Sequence, residues 1–253
     1  MTTSPDRYVL ADKTVRRMGY GAMQLAGGAG FQIRDRNEAL TVLREAVQAG
    51  VDHIDTAQYY GPGVVNELIR EALFPYPDGL ALVSKVGGRF DQSDGIVLWD
   101  EPDQLRASID ENLATLGAEQ LAAVNLRLLD NAVPDARFID QLGALAKARE
   151  EGLIAGIGIS NVSHAHLLQA VEVTDIVCVQ NSYNVADRSS QPLLDECRAR
   201  GIAFVPFYPI GGQNHQRAAI LSNRVVTEIA ARHDATPSQV ALAWLLAIAL
   251  TFY

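Results

Sequence analysis

At 253 residues, 48% hydrophobic and 20% charged, the chain has the composition of an ordinary soluble globule, enough for one α/β barrel or one to two smaller domains. Its formal net charge of −9 and its lack of a long basic run argue against nucleic acid and an anionic membrane surface as main partners. Cys178 and Cys197 read as buried thiols in a reducing compartment, and no charged-then-apolar leader opens the chain, so a cytoplasmic location is expected.

In chain order, Met1 to Arg7 reads as frayed, and Val15 to Gly21 as a first strand followed by a glycine-rich loop through Gly27, Gly28 and Gly30. Gly19-Tyr20-Gly21 lacks the third glycine of a dinucleotide fingerprint, with Gln24 in its place. Asp35 caps a helix from Arg36 to Ala49, whose apolar residues Ala39, Leu40, Leu43, Ala46 and Val47 recur at helical spacing. The strand beginning at Val51 ends at Asp55, and Val64 to Leu73 is helical. Leu80–Val86, Leu121–Leu128, Ile154–Ser160, Ile176–Ser182 and Ala203–Tyr208 read as strands. Between them lie helices over Pro102–Leu116, Ala136–Glu151, Ser163–Val171 and Gln191–Arg200. Val225 to Leu246 is helical, interrupted near Thr236-Pro237. The apolar run from Val240 to Tyr253 is too short to span a bilayer comfortably.

Seven strands alternating with helices imply a parallel sheet. A barrel is favoured over a doubly wound sheet because Gln24, Asp55, Lys85, Arg127, Ser160, Asn161 and Gln180 all fall at the C-terminal ends of strands. One ring of strand ends facing one site accounts for them together.

Carbonyl reduction needs a hydride source, a proton donor and a group that polarises the oxygen. Tyr60 is the candidate proton donor, Lys85 the cation beside it, and Asp55 the partner that lets a lysine end an apolar strand. For any one of them alone, a structural ion pair beside a core tyrosine is the simpler reading; the three together point to a site. Asn125 and Arg127 share a strand face, expected to be the barrel interior. Trp99, in the long loop from Gly87 to Asp103, either stacks a substrate ring or anchors its own loop. His164 and His166, two apart, make a poor metal pair, and no metal site is expected.

The run Asp55-Thr56-Ala57-Gln58-Tyr59-Tyr60-Gly61 resembles a signature of the aldo-keto reductase superfamily. Met18 to Gln24, Lys85, Gly158-Ile159-Ser160-Asn161, Val179 to Asn184 and Pro206-Phe207-Tyr208-Pro209 resemble further landmarks of that family, in order over nearly the whole chain. Val124-Asn125-Leu126-Arg127 and Cys178-Val179-Gln180-Asn181, with Leu68 to Leu73, are most similar to its bacterial pyridoxal reductase branch. The resemblance implies a single domain over residues 1–253, a (β/α)8 TIM-barrel type fold, NADPH as cofactor, and reduction of a small aldehyde such as pyridoxal. It implies Asp55, Tyr60, Lys85 and Arg127 as catalytic residues. It implies Gly21, Met23, Gln24, Ser160, Asn161, Gln180, Phe207, Pro209 and Gly211 at the cofactor, and Trp99 with Arg127 at the substrate.

Arg127 stands where the family usually has a histidine. A guanidinium stays charged near neutrality, so Arg127 either orients the substrate or pairs with an acid such as Asp130 or Asp55. Two alternatives to the reductase remain open: a non-catalytic nucleotide-binding or interaction protein on the same scaffold, and an inactive fragment. The tail from Ala247 to Tyr253 has no turn residue and reads as more helix rather than a returning strand. An incomplete barrel is therefore expected, lacking the eighth strand and final helix, with a gap between the strands from Val15 and Ala203. Aggregation and weak, unselective NADPH binding would follow.

Overall fold

A computed structural model describes residues 7–26, 35–93, 95–130, 133–212 and 214–248; the glycine-rich loop at Gly27, Gly28 and Gly30 lies outside them. The chain opens with an antiparallel hairpin of β1 (Arg7–Leu10) and β2 (Lys13–Arg16), turning at Ala11, which takes φ +52°. This divides the first strand expected from Val15 to Gly21. Lys13–Arg16 belongs to the hairpin, and only β3 (Tyr20–Gly21) joins the main sheet. The division has a packing cause. Leu10 and Val15 are fully buried on one hairpin face and pack with Ala81, Ala123 and Ala203. They close the end of the barrel at which the strands begin. Asp52 fixes the hairpin there, accepting from Arg7 Nη2 at 3.0 Å and from the Arg16 amide at 2.8 Å.

A 3-10 turn (Ala22–Ala26) follows β3. Strand and helix then alternate through α1 (Arg36–Gln48), β4 (His53–Asp55), α2 (Val64–Leu73), β5 (Ala81–Asp91), β6 (Gly95–Trp99) and α3 (Pro102–Leu116). They continue through β7 (Ala123–Arg127), α4 (Ala136–Glu150), β8 (Ile157–Ser160), α5 (His164–Val173), β9 (Cys178–Ser182), α6 (Gln191–Arg200) and β10 (Ala203–Phe207). The last described elements are α7 (Asn214–Leu221), α8 (Arg224–Arg232) and α9 (Pro237–Ile248). Local chemistry sets the helix ends. The Asp35 carboxylate accepts from the amides of Asn37 and Glu38, and Pro102 opens α3. Left-handed glycines at Gly117 and Gly201 close α3 and α6.

The main sheet is parallel, in the order β3-β4-β5-β7-β8-β9-β10, as expected of a (β/α)8-type fold. Among the described residues no strand joins β10 to β3. The expectation for the tail falls partly on residues 249–253, outside the described ones; up to Ile248 the chain is helical. The last turn of α9 is held by two arginines. Arg17 donates to the Leu246 carbonyl, and Arg198 to that of Ile248 at 2.5 Å.

Strand alternation sorts the side chains. Ile54, Leu82, Val124, Ile159, Val179 and Phe204 face the helices and form the larger core. The opposite face points inward and is small at depth. Gly158 has no room for a side chain, since a Cβ there would lie 2.0 Å from Asn125 Oδ1. β5 runs past its expected end at Val86 to Asp91 and pairs antiparallel with β6, so the stretch read as a loop around Trp99 is a hairpin. Gly87, at φ +106°, lets the strand pass within van der Waals reach of the Arg127 backbone, where a Cβ would lie 2.5 Å from the carbonyl oxygen. Among the described residues no helix is long and apolar enough to cross a membrane.

Candidate functional site

Register brings the strand ends to one mouth. Asp55 lies opposite Val83 on β5, Lys85 opposite Asn125 on β7, Arg127 opposite Ser160 on β8, and Ser160 opposite Gln180 on β9. The inward positions at the top of β4, β5, β7, β8 and β9 are thus Asp55, Lys85, Arg127, Ser160 and Gln180. Four of these five are buried, and Arg127 is half-buried.

Asp55 is the hub. Its Oδ2 accepts from Lys85 Nζ at 2.5 Å and its Oδ1 from Gln180 Nε2 at 3.0 Å. Lys85 also donates to the Thr56 carbonyl at 3.1 Å. The buried Nζ is therefore paired with a carboxylate and hydrogen-bonded, which offsets the cost of its burial. It lies 5.2 Å from the centroid of the Tyr60 ring, over its face. Tyr60 is buried and packs edge-on against Tyr59, ring centroids 5.3 Å apart. Burial pushes the Tyr60 phenol well above its ordinary pKa; the Asp55 carboxylate adds to this, and the Arg127 guanidinium opposes it. The resting phenol is protonated, as a proton donor must be.

Arg127 Nη1 donates to Ser160 Oγ at 3.2 Å, and its guanidinium carbon lies 5.0 Å from the Phe207 ring centroid. Among the described residues no carboxylate forms an ion pair with it, so the alternative of a structural pair with Asp130 or Asp55 is not what the fold adopts. Asn125 lies deeper on the same inward face, accepting from Cys178 Sγ at 3.2 Å. Phe207 stands beside Tyr208, which is exposed and takes φ +57°. Gly212 packs under Tyr208, since a Cβ there would meet its ring at 2.4 Å, and the Gly211 amide donates to the Tyr208 carbonyl at 2.9 Å.

A nucleotide ring needs polar partners at its edge and a flat surface at its face. Gln180 Oε1 is buried with no hydrogen-bond partner while its Nε2 is held by Asp55. A carboxamide N–H would satisfy that oxygen. Ser160, Gln180 and Phe207 surround the same mouth, so the residues present fit a nicotinamide. Asn161, at φ +57°, instead donates from Nδ2 to the Leu128 carbonyl at 2.8 Å.

Other sequence candidates are placed elsewhere. Gly21 pairs with Asp55 beside the mouth, and Met23 packs against the core. Gln24 is exposed in a groove against α1, with Tyr20, Leu25, Asp35 and Glu38. Trp99 stacks with Arg89 of its own hairpin, 4.9 Å from ring centroid to guanidinium carbon. The His166 ring caps α5 against Ser163, and His164 reaches Glu196 at 3.4 Å.

The sequence reading missed a buried amide network behind the wall that carries Asp55 and Lys85. Asn112 Oδ1 accepts from Ser84 Oγ at 2.5 Å and Asn66 Nδ2 at 3.0 Å; its Nδ2 donates to Gln58 Oε1 at 3.1 Å and the Ser108 carbonyl at 2.8 Å. Thr56 Oγ1 donates to Asn66 Oδ1 at 2.7 Å, and Gln58 Nε2 to the Gly88 carbonyl at 3.2 Å. Thr56 and Ser84 adjoin Asp55 and Lys85 in the chain, so the network fixes the backbone that aims them. Its one sequence signal was two asparagines, Asn66 and Asn112, on otherwise apolar helix faces.

Residues 17–251 match the aldo/keto reductase family. Over 247 residues the chain is 44% identical to a pyridoxine 4-dehydrogenase of Escherichia coli K12, covering 96% of this chain and 85% of that protein. It is 32% identical to an uncharacterized oxidoreductase of Schizosaccharomyces pombe, covering 94% of this chain and 75% of the relative. The fold superposes on a thermostable aldo-keto reductase solved with the inhibitor epalrestat, with a TM-score of 0.81 at 29% identity, covering 97% of this chain and 86% of the other. An aldo/keto reductase of Klebsiella pneumoniae solved with NADP and acetate shares the fold at TM-score 0.78 and 22% identity, over 95% of this chain and 81% of the other. With its sequence matched along nearly its whole length and Asp55, Lys85 and Tyr60 gathered at one barrel mouth, the chain belongs to the aldo/keto reductase family.

Proposed function

We propose that the chain is a single-domain, NADPH-dependent reductase of a small aldehyde, with pyridoxal as the first substrate to test. The observation that carries this is the Asp55–Lys85–Tyr60 cluster beside a buried, unpartnered Gln180 Oε1. The substrate follows the 44% identical relative, whose name is pyridoxine 4-dehydrogenase.

When bound, the reduced nicotinamide supplies the hydride that adds to the carbonyl carbon. Ser160 and Gln180 are assigned to its carboxamide, with Asn161 through its Oδ1 because its Nδ2 is held by the Leu128 carbonyl; Phe207 is assigned to its ring, and Gly21, Met23, Gln24, Pro209 and Gly211 to the rest of the nucleotide. Tyr60 Oη gives its proton to the carbonyl oxygen as the carbon accepts the hydride, so the aldehyde leaves as a primary alcohol. Lys85 and Arg127 stabilise the phenolate left behind until a proton returns. Asp55 holds Lys85 in place. Arg127 is assigned to the substrate side, whereas Trp99 anchors its own hairpin through Arg89.

Mixing the protein with NADPH and pyridoxal should bleach the reduced-nicotinamide absorbance. Tyr60→Phe should lower kcat by about 10²–10⁴-fold while NADPH still binds. Turnover of other aldehydes but not pyridoxal removes the substrate assignment and keeps the reductase. NADPH binding with no turnover, unchanged by Tyr60→Phe, makes the chain a nucleotide-binding protein instead.

A further inference from the structure

Among the described residues, the mouth of the barrel carries a positive charge with no ion-pair partner. Lys85 is matched by Asp55 at 2.5 Å. Arg127 is half-buried and, among the described residues, meets a hydroxyl, Ser160 Oγ at 3.2 Å, and an aromatic face, Phe207 at 5.0 Å, and no carboxylate. A guanidinium offers five N–H donors in a planar fork, and one hydroxyl uses a small part of that capacity. A partly dehydrated cation without a counter-charge is unfavourable, and an anionic ligand relieves it.

Position limits what that ligand is. Arg127 is the next inward position after Asn125 on β7, and Asn125 pairs with Lys85, whose ammonium lies 5.2 Å from the Tyr60 ring centroid. Arg127 therefore lies near the proton donor, and its charge favours the ionised forms of both Tyr59 and Tyr60. An anion pairing with it must sit close to the carbonyl that Tyr60 protonates. Phe207 and the Tyr59–Tyr60 pair make the surroundings aromatic.

Resting on the reductase reading above, we propose that Arg127 is a specificity-determining residue that selects aromatic aldehydes bearing an ionised hydroxyl ortho to the formyl group. In such a molecule the two oxygens lie side by side in the ring plane. Tyr60 addresses the carbonyl oxygen while the guanidinium fork takes the phenolate. The pairing does more than bind. A phenolate pushes electron density into the carbonyl and slows hydride acceptance; a guanidinium on that oxygen draws the density back. Discrimination therefore falls on kcat as well as KM. Pyridoxal, with its hydroxyl beside the formyl group, is one member of this class.

The test compares salicylaldehyde with 2-methoxybenzaldehyde, which keeps the ortho oxygen but carries a methyl group in place of the ionisable proton. Wild-type kcat/KM should favour salicylaldehyde by about tenfold to a hundredfold, the range of a charge-assisted hydrogen bond. The preference should grow as pH rises through the ionisation of the free phenol. Arg127→Met should collapse the ratio toward unity, and Arg127→Lys should restore part of it. Equal turnover of the two aldehydes by the wild type overturns the inference, as does a ratio that survives Arg127→Met. A tenfold loss of NADPH affinity in Arg127→Met, with the ratio intact, would place the counter-charge on the nucleotide and also overturn it. Should neither of these aldehydes nor pyridoxal be reduced, the reductase reading fails, and the inert analogues decide the role of Arg127 separately. Salicylamide must then bind at least tenfold more tightly than 2-methoxybenzamide at a pH where its phenol is ionised, and lose that advantage in Arg127→Met. Equal binding of the two amides overturns the inference.

Discussion

Replacing Asn112 by leucine tests whether the buried amide network holds up the wall that carries Asp55 and Lys85. Leucine keeps nearly the same shape and deletes the polar atoms. Ser84 Oγ loses the acceptor it reaches at 2.5 Å, and Gln58 Oε1 loses the donor it meets at 3.1 Å. Asn66 Nδ2 keeps a bond to Thr115 Oγ1 at 3.0 Å. Two buried groups are thus left unsatisfied, each costing about 1–3 kcal/mol. With a partial offset from the added apolar atoms, the net loss should be about 3 kcal/mol, a large share of the about 5–15 kcal/mol that holds a domain folded. Urea unfolding followed by circular dichroism measures it as a fall in midpoint. Ser84→Ala in the Asn112→Leu background removes one of the orphaned groups, so the double variant should be about 1 kcal/mol more stable than additivity predicts. A loss below about 1 kcal/mol together with strict additivity would show that the network does not support the wall.

Gly87→Ala places a Cβ 2.5 Å from the Arg127 carbonyl oxygen at a φ of +106°; it should cost about 1–3 kcal/mol and lower the melting temperature, and an unchanged melting curve would mean the β5 bend adapts freely. Stability should fall at alkaline pH. Burial raises the Tyr8 and Tyr76 phenols to about 12 and Tyr60 well above its ordinary value. The unfolded phenols release protons near about pH 10 that the folded ones retain, so stability is full below that point and drops as pH rises toward the folded values. A urea midpoint that stays flat from about pH 9 to 11 would contradict this. Burial likewise pushes the Cys178 and Cys197 thiols to about 12. A thiol reagent at about pH 8 should label them only as fast as the protein opens, and rapid labelling of either in the native state would contradict their burial.

Much of this protein is written locally. Apolar residues at helical spacing, Asp35 before α1, Pro102 opening α3 and glycines after α3 and α6 place those helices by backbone chemistry alone. The alternation of strand and helix implies the parallel sheet, and the polar strand ends imply a common mouth, because each depends only on periodicity and order. Asp55, Tyr60 and Lys85 were legible as a group because a buried lysine needs a carboxylate and a phenol is a ready proton donor. What the tertiary structure decided concerns partners distant in sequence. Val15 and Leu10 left the barrel sheet to close its end, since their burial depends on Ala81, Ala123 and Ala203 far along the chain. The stretch around Trp99 became a hairpin because Gly87 could lie against Arg127. Asn112 joined Gln58 and Ser84 across 54 and 28 residues. Arg127 was open to two readings in the sequence, and packing removed the structural ion pair by setting Ser160 and Phe207 beside it and no acid among the described residues. Periodicity fixes which face a side chain takes; only the packed arrangement of strands fixes what stands opposite it.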